Sequence, residues 1–488
     1  MQFIKKSYRF FTQDVLLPFR AGLAAGLYPM AFYISNNYDF VNSSNHLFFF
    51  ITRFLIFPIA IFYVLYFLMR KNRLHFYKNK VLLVLNAAVF FFLAVLAVYA
   101  VIRWKHLLLI GFLTSIVFVL SFFIKNLIHK IIVVQFLLLL TTSVGFYQII
   151  KTHLSYSDKW LEQPDTIQNV VFKKKPNIFV IQTDGYVNFS ELKGGYYNYD
   201  NSPFEKWIEE RGFIAYDGVR SNYKNTIYSN SSMFSMKHHY YNTLNERDVL
   251  MNRNAVISIF NSNGYKTHAF LEAPYFIINR PKIRFDYINY SYDELPYFTR
   301  GLSNRRDIIA DFKEAWKHNS TPNFFFFEKL QPWHIPTKAF NSKGKEQERI
   351  LYLERLEKTN TWLQEILTLI EQYDPDGLVI LMADHGGFVG MESTDEAVHK
   401  LEDRDKIYSV FSTLFAVKWP NNQSPDFDKS FKTNVNLFRI LFSYLSEDES
   451  YLNHLQEDAS FLQIEENNGE STYKAIDASG NILFEKHN

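Results

Sequence analysis

The 488-residue sequence contains no cysteine. Such a chain cannot form a disulfide, a zinc ribbon, an iron–sulfur site or a thiol nucleophile. Acids are also scarce in its first 150 residues, which hold only Asp14 and Asp39 against 14 Lys and Arg. The remaining residues carry 47 acids and 38 Lys and Arg, so the net charge of +3 combines about +12 with about −9. The basic part is also the apolar part, which excludes a small soluble domain and a nucleic-acid binder that depends on overall basicity.

Five apolar segments in the first 150 residues approach the length of about 20 residues that crosses a bilayer. They lack a polar face and their connections are short and basic, which favours a membrane domain over buried helices of a soluble protein. The first segment is the least apolar because it contains Pro18, Arg20 and Pro29, and it has no cleavage site of a signal peptide. The predicted transmembrane helices are residues 15–34, 47–69, 80–102, 106–124 and 130–150.

Lys and Arg in the loops predict the orientation of these helices. The N-terminus has Lys5, Lys6 and Arg9, and the loop after the second segment is also basic, whereas loop 35–46 has no Lys or Arg. The loop after the third segment, with two basic residues, is a weak contrary signal. The N-terminus is therefore predicted inside, and five crossings place the rest of the chain outside. In a bacterium that is the extracytoplasmic side of the cytoplasmic (inner) membrane, where neither ATP nor NAD is supplied.

Beyond a polar linker, segments typical of strands and helices alternate. Short runs rich in apolar and β-branched residues, such as 177–183 and 377–383, are typical of buried parallel strands. Amphipathic helices are predicted between them, including 346–373 and 431–446. This alternation predicts an α/β domain with a mostly parallel, doubly wound sheet. The predicted domains are 1–150 (transmembrane), 151–175 (linker), 176–446 (α/β) and 447–488 (C-terminal extension with a hairpin).

Two predicted strands end in acidic residues, at the edge where doubly wound sheets place their sites. Asp184 follows the first strand, and Asp384 with His385 follows the second. An Asp at a strand end often only caps the next helix. Asp-His followed by two glycines, however, offers adjacent oxygen and nitrogen ligands and lets the backbone turn close to a ligand. A helix cap and a metal ligand both remain open here.

A hydroxyl-rich segment, 221–229 (SNYKNTIYS), opens a predicted helix. A hydroxyl at a helix N-terminus is usually a cap. The same position suits a nucleophile, because the helix dipole and free N–H groups favour an alkoxide and an incoming phosphate. Thr226 is the candidate nucleophile, with Ser221 and Ser229 as competitors.

Together these motifs resemble the alkaline phosphatase/sulfatase superfamily over about residues 175–445. The order and spacing of the motifs are more specific than any one of them. Transmembrane helices followed by such a domain are similar to lipoteichoic acid synthases, phosphoglycerol transferases and phosphoethanolamine transferases of the bacterial envelope. The matching motifs are strand-Thr-Asp184-Gly, Ser-Asn-Tyr-x-x-Thr226-x-x-Ser, Gln-Pro-Trp-His334-x-Pro and Met-Ala-Asp384-His385-Gly.

The resemblance implies a metal site within a sulfatase-like catalytic domain. Two carboxylates, one alkoxide and one imidazole would bind one divalent metal ion, and they suit Mn²⁺ or Zn²⁺ better than Ca²⁺. Thr226 would also be the nucleophile. The implied metal ligands are Asp184, Thr226, Asp384 and His385.

The resemblance also implies substrate and acid–base residues. His334 would contact the substrate phosphate or a second metal ion, and His334 or His399 would protonate a leaving group. Arg280 matches the Arg of an Asn-Arg pair that holds phosphoglycerol in the synthases. The chain departs from the synthases at Leu271, where they have a substrate histidine, and His268 lies three residues away. Phosphoglycerol specificity therefore does not follow from the resemblance.

The resulting hypothesis is an integral membrane, metal-dependent transferase. It would move a phospho-substituent, of the phosphoglycerol or phosphoethanolamine type, from a membrane phospholipid to an envelope glycan or lipid through a phospho-Thr226 intermediate. One alternative is a phosphoester hydrolase with the same site. Another is an inactive membrane-anchored binding or sensor protein, against which the four retained ligand residues argue. A sulfatase that uses formylglycine is disfavoured, because residues 226–230 lack the Cys/Ser-x-Pro-x-Arg context. No nucleic-acid partner is expected.

Overall fold

The computed structural model describes residues 14–70, 77–239, 246–317, 322–466 and 469–487. The chain divides into two compact units. The membrane unit comprises the chain up to Tyr156 together with Ile278–Arg280 and Leu295–Gly301, and the α/β unit comprises the rest. Part of the orientation prediction falls outside the described residues, namely Lys5, Lys6, Arg9, Lys71 and Arg73.

Long apolar helices build the membrane unit. Four of the five, α2 to α5, are long and apolar enough to cross a membrane. The predicted count of five is therefore one too high by this criterion, since the predicted segment 15–34 is a helix but does not meet it. The helices are α1 (Leu17–Asn36), α2 (Ser44–Met69), α3 (Lys78–Tyr99), α4 (Trp104–Phe123) and α5 (Leu127–Ser155).

The packing of α1 explains its lower hydropathy. It packs against α2, α3 and α5, and its Arg20 is only 1% exposed. A Cβ on Gly26 would lie 1.6 Å from the Phe54 carbonyl oxygen, and one on Gly22 would lie 2.7 Å from the Ile59 Cα. Small residues four apart permit such close backbone contact in membrane helices. Because protein rather than lipid surrounds much of α1, its sequence needs fewer large apolar residues.

A seven-stranded sheet forms the centre of the α/β unit, in the order β2-β7-β6-β1-β5-β3-β4. All neighbouring pairs are parallel except those of β7, which runs antiparallel to both β6 and β2. The predicted mostly parallel sheet is confirmed. The strands are β1 (Ile178–Asp184), β2 (Phe213–Ala215), β3 (Lys266–Leu271), β4 (Tyr287–Ile288), β5 (Asn323–Pro332), β6 (Leu378–Ala383) and β7 (Phe415–Lys418).

Helices cover both faces of this sheet. Successive side chains of a strand point to opposite faces, so each buried strand packs against helices on both sides. On one face Phe325 packs edge-on against Phe312, with ring centroids 5.5 Å apart. On the other face Phe324 stacks on Phe260 at 4.2 Å. The helices are α6 (Phe189–Lys193), α7 (Ser202–Glu209), α8 (Thr226–Ser235), α9 (Ala255–Ser262), α10 (Ile308–Trp316), α11 (Lys345–Tyr373), α12 (Arg404–Phe411) and α13 (Leu437–Ser446).

The C-terminal extension forms a separate antiparallel sheet with the predicted hairpin. It holds the segment that leads into α8, since the Phe461 N–H donates to the Asn222 carbonyl at 2.8 Å and the Ser460 hydroxyl donates to the Ser221 carbonyl at 2.7 Å. The extension therefore helps to fix the start of α8. Its strands are β8 (Ser460–Glu466), β9 (Gly469–Ile476) and β10 (Ile482–Lys486).

Candidate metal and phosphate site

Three potential metal ligands meet at the carboxyl edge of the sheet. Strands β1 and β6 are parallel neighbours, with Thr183 opposite Ala383, so the residues after them leave the sheet side by side. The ligand atoms of Asp184, Asp384 and His385 all lie within 4.8 Å of one another, and all three side chains are buried. His385 Nε2 is 3.7 Å from Asp184 Oδ1 and 3.6 Å from Asp384 Oδ2. Oxygen and nitrogen donors therefore converge on one point.

Each of the two carboxylates keeps one oxygen that the described residues do not satisfy. Asp184 Oδ1 and Asp384 Oδ2 are buried and have no hydrogen-bond partner in the described part of the chain. Burial and the nearby Asp384 raise the pKa of Asp184 to about 7. Burial alone would lower the pKa of His385, but Asp384 and Asp184 outweigh it and raise that pKa. Two buried carboxylates that repel each other are stabilised by a cation, so the residues present fit a divalent metal ion.

The hydrogen bond of the other imidazole nitrogen orients His385. Its Nδ1–H donates to the Gly386 carbonyl at 2.9 Å, which leaves the Nε2 lone pair directed at the two carboxylates. Backbone carbonyls fix the tautomer of metal-binding histidines in the same way. A Cβ on Gly386 would lie 2.2 Å from the Ser409 carbonyl oxygen, so only glycine lets this turn pack against α12. The glycine therefore helps to keep the imidazole in place.

Thr226 is the first residue of α8, and its hydroxyl is not the helix cap. Asn225 caps the helix, because its side chain accepts a hydrogen bond from the Tyr228 N–H at 2.9 Å. Thr226 Oγ1 instead lies 3.4 Å from His385 Nε2. The hydroxyl is thus next to the converging metal ligands and at the positive end of the helix dipole.

The competing hydroxyls have other surroundings. Ser229 donates to the Asp384 carbonyl at 2.7 Å and so braces the loop that carries Asp384. Ser221 is fully buried and precedes α8 by five residues. Thr226 is the one of the three hydroxyls that lines the cavity described next.

A cavity of about 270 Å³ opens in front of Thr226. His334 and His385 also line it, with ring centroids 5.8 Å apart. Both nitrogens of His334 have partners: Nε2 accepts from the Trp333 indole N–H at 2.9 Å, and Nδ1–H donates to the Ile335 carbonyl at 2.5 Å. Burial and the nearby His385 lower the pKa of His334 to about 3, so its imidazole is neutral near pH 7. The cavity can admit a phosphate group beside the Thr226 hydroxyl.

The structure places the two other predicted site residues away from this cavity's lining. His399 is exposed, and its neighbour Val398 lines the cavity instead. Arg280 belongs to the membrane unit, where its guanidinium contacts His46 Nε2 at 3.1 Å and the Leu295 carbonyl at 2.8 Å. Neither residue is among those that line the cavity, and their predicted roles stay predictions.

Leu271, where the synthases have a substrate histidine, and the nearby His268 both lie on β3. Leu271 ends β3 and is fully buried. His268 lies in the middle of β3, where its Nε2 contacts Asn323 Oδ1 at 3.1 Å. This contact lies at the opposite end of the sheet from Asp184, so His268 does not replace the missing histidine.

A charged network beside the site was not predicted from the sequence. Glu272 accepts hydrogen bonds from Lys329 Nζ at 2.7 Å and from the Leu330 N–H at 2.8 Å, and it pairs with Arg305 at 3.0 Å. Arg305 lies over the Trp333 ring at 5.4 Å, and Trp333 in turn donates to His334. These residues come from separate elements, and the pairing of β3 with β5 brings Glu272 next to Lys329 and Leu330.

Glu328 is a second residue that the sequence reasoning missed. It faces Gln182 across β1 and β5, is 1% exposed, and has no hydrogen-bond partner among the described residues. Burial raises its pKa, with Asp184 and Asp384 adding to the effect. The signal available in the sequence was a single acid directly after the apolar run 324–327. A charge at that position of a buried strand is costly without a partner.

A family model described as Sulfatase matches residues 176–444, more than half of the chain. No curated protein matches the sequence. Among solved structures, the chain is similar to the C-terminal periplasmic domain of EcEptC from Escherichia coli (14% identity, TM-score 0.40, 61% of this chain and 92% of that one). It is also similar to the integral membrane protein lipooligosaccharide phosphoethanolamine transferase A from Neisseria meningitidis (14%, 0.39, 89% and 96%). A third is the lipoteichoic acid synthase LtaP from Listeria monocytogenes (13%, 0.40, 65% and 90%).

Proposed function

The chain belongs to the sulfatase family, and on that premise we propose that it is a membrane-anchored phosphotransferase. It moves a phospho-substituent of the phosphoglycerol or phosphoethanolamine type from a membrane phospholipid to an envelope glycan or lipid. The observation that carries the proposal is the position of the Thr226 hydroxyl. Asn225 caps α8 in its place, and the hydroxyl lies 3.4 Å from His385 Nε2. A hydroxyl in this position is suited to form a covalent phospho-Thr226 intermediate.

Asp184, Asp384, His385 and Thr226 would hold one divalent metal ion, Mn²⁺ or Zn²⁺. Such an ion lowers the pKa of a bound hydroxyl and compensates the charge on a phosphate group. The protein's contribution is to hold the four donors in place, through the strand ends, the Gly386 carbonyl and the start of α8. The fit rests on the two buried carboxylate oxygens that the described residues leave without partners.

Two displacements at phosphorus account for the transfer. In the first, Thr226 Oγ1 loses its proton and bonds to phosphorus while the bond from phosphorus to the diacylglycerol oxygen breaks, and that oxygen takes up a proton. In the second, an acceptor hydroxyl loses its proton and bonds to phosphorus while the bond from phosphorus to Thr226 Oγ1 breaks, and Oγ1 takes up a proton again. The N-terminal N–H groups of α8 favour the phosphate in both steps. Water in place of the acceptor would give the hydrolase.

The two histidines suit different tasks. His334 has a pKa of about 3, so near neutral pH it acts as a hydrogen-bonding group toward a phosphate oxygen rather than as a proton donor. We assign to His399 the transfer of a proton to the leaving oxygen, since its neighbour Val398 lines the cavity. Exchange of the Trp333 and Ile335 hydrogen bonds, with the ring proton moved to Nε2, would let His334 donate to a phosphate oxygen.

The proposal is tested by the intact mass of the full-length protein after incubation with total bacterial phospholipids and Mn²⁺ or Zn²⁺. A mass increase that peptide sequencing places on Thr226 is expected, and its size names the transferred group. An unmodified Thr226 under conditions where phospholipid is consumed would contradict the covalent mechanism. Release of the free phospho-substituent without a glycan or lipid product would favour the hydrolase.

We further propose that the α/β unit faces the extracytoplasmic side of the inner membrane. The four helices α2 to α5 return the chain to the side from which α2 starts, and the loop on that side, 35–46, has no Lys or Arg. An alkaline phosphatase reporter fused after residue 155 is expected to be active, and one fused after residue 74 inactive. The reverse pattern, or activity at both positions, would contradict this orientation and the choice of lipid donors.

A further inference from the structure

The membrane unit contains an apolar cavity of about 660 Å³ between α2, α3 and α4. Its volume falls within the range of roughly 300–1,000 Å³ that is common for ligand sites. Its walls include Phe57, Phe92 and Leu96, and Phe298 of the Leu295–Gly301 segment closes one side. The ring of Phe298 packs against Phe50 and Phe54, with centroids 5.5 and 6.1 Å apart. Walls of this kind suit a hydrocarbon chain.

One cation interrupts the apolar wall. Arg53 lines the cavity, and no other residue in the described part of the chain gives it a hydrogen bond or an ion pair. It lies in the π-helical segment Ile51–Ile56 of α2, and π-helical segments inside α-helices are frequent at functional sites. A charged side chain within a membrane helix is costly unless it meets an opposite charge. Arg53 is exposed and lacks such a partner among the described residues, so an anionic ligand would compensate its charge.

The position of Arg53 along α2 indicates where its anionic partner would lie. It follows Ser44, where α2 begins, by nine residues, or about 14 Å along the helix. Its long side chain can reach back toward that end. The same end holds polar contacts, His46 with Arg280 and Asn42 with Asn279, which are typical of the level of lipid head groups.

We propose that this cavity binds a glycerophospholipid, with its phosphate on Arg53 and an acyl chain along Phe57, Phe92 and Leu96. Guanidinium and phosphate form strong, bidentate hydrogen bonds, and the apolar walls would exclude a free inorganic phosphate. The inference deepens the proposed function, on which it rests for the role of the lipid as a donor. Binding itself requires no turnover and can be measured alone.

The test uses full-length protein in non-ionic detergent, titrated with phosphatidylglycerol that carries a fluorophore on one acyl chain. Arg53→Gln is expected to weaken binding about tenfold or more, because one charge-assisted contact is lost, whereas Arg53→Lys retains most of it. Labelled diacylglycerol, which has no phosphate, should bind Arg53→Gln and the wild type alike. Equal affinity of Arg53→Gln and the wild type for phosphatidylglycerol would overturn the proposal.

A second pair of variants tests the acyl-chain part. Ala88 lines the cavity, and Ala60 lies exposed on α2 outside it. Ala88→Phe should fill the cavity and weaken both labelled lipids, while Ala60→Phe should change neither. Binding that is unchanged in Ala88→Phe, with the variant folded by its melting temperature, would overturn the proposal.

The outcomes also separate this inference from the proposed function. Phosphatidylglycerol binding that depends on Arg53, together with a Thr226 that no phospholipid modifies, would support the lipid site and contradict the transferase. A Thr226 adduct that forms from phospholipid in a protein whose affinity is independent of Arg53 would overturn the lipid site alone.

Discussion

Replacing Thr226 with alanine is expected to lower phospholipid turnover on the order of 10³-fold or more, with the protein still folded. Removal of a nucleophile costs an enzyme its covalent step. The fold should be preserved because Asn225, and not Thr226, caps α8, and alanine is a better helix former than threonine by a few tenths of a kcal/mol. Turnover is measured as release of diacylglycerol, and folding as the thermal unfolding midpoint.

Two further variants sharpen this result. Thr226→Ser keeps the hydroxyl and should retain part of the turnover, slowed because serine lacks the β-branch that restricts the rotamer of threonine. Ser229→Ala removes the hydrogen bond to the Asp384 carbonyl but no nucleophile, so it should reduce turnover far less than Thr226→Ala. Near wild-type turnover in Thr226→Ala with none in Ser229→Ala would move the nucleophile to Ser229. Activity in both would argue against a covalent mechanism.

Replacing Asp384 with alanine is expected to remove the bound divalent ion. The side chain is fully buried beside His385 and supplies one of the two unsatisfied carboxylate oxygens. An ion at a hundred times its dissociation constant stabilises a folded protein by about 2.7 kcal/mol. The metal-free wild type should therefore gain about this much when Mn²⁺ or Zn²⁺ is added, and Asp384→Ala should gain almost nothing. Elemental analysis of the purified full-length protein gives an independent measure.

The matched control is Asp395→Ala. Asp395 lines the same cavity but pairs with Lys338 at 2.8 Å, a partly exposed contact that contributes little to stability. This variant should bind metal as the wild type does. Full metal occupancy in Asp384→Ala, or equal loss in both variants, would show that Asp384 is not a ligand.

The sequence alone predicts the parts of the site that follow strands with continuous apolar runs. β1 and β6 are buried on both faces, so their ends, and with them Asp184 and Asp384, could be located within a residue. Parallel strands also place their carboxyl ends on one edge, which is why the two acids were expected to be near each other. Their roles as ligands stay predictions.

Other features depend on contacts that no local pattern encodes. The predicted helix 431–446 begins only at Leu437, because the preceding residues support the site: the Asn434 side chain donates to the Ala383 carbonyl at 2.9 Å. Arg280 contacts His46, far from it in the chain, and its predicted role toward the substrate stays a prediction. The network of Glu272, Arg305 and Trp333 requires the sheet order. Tertiary contacts decide each of these, so sequence periodicity could not.

The small-residue packing of α1 bears on how the protein is made. If α1 crosses the membrane, it is the first of the described helices to leave the ribosome and the one least able to remain in lipid alone, since it carries Arg20 and two glycines, Gly22 and Gly26, at its contact with α2. Its partners α2, α3 and α5 are synthesised afterwards. Stable insertion of such a helix would then wait for the later helices that enclose it, and the membrane unit would be integrated as a group rather than one helix at a time.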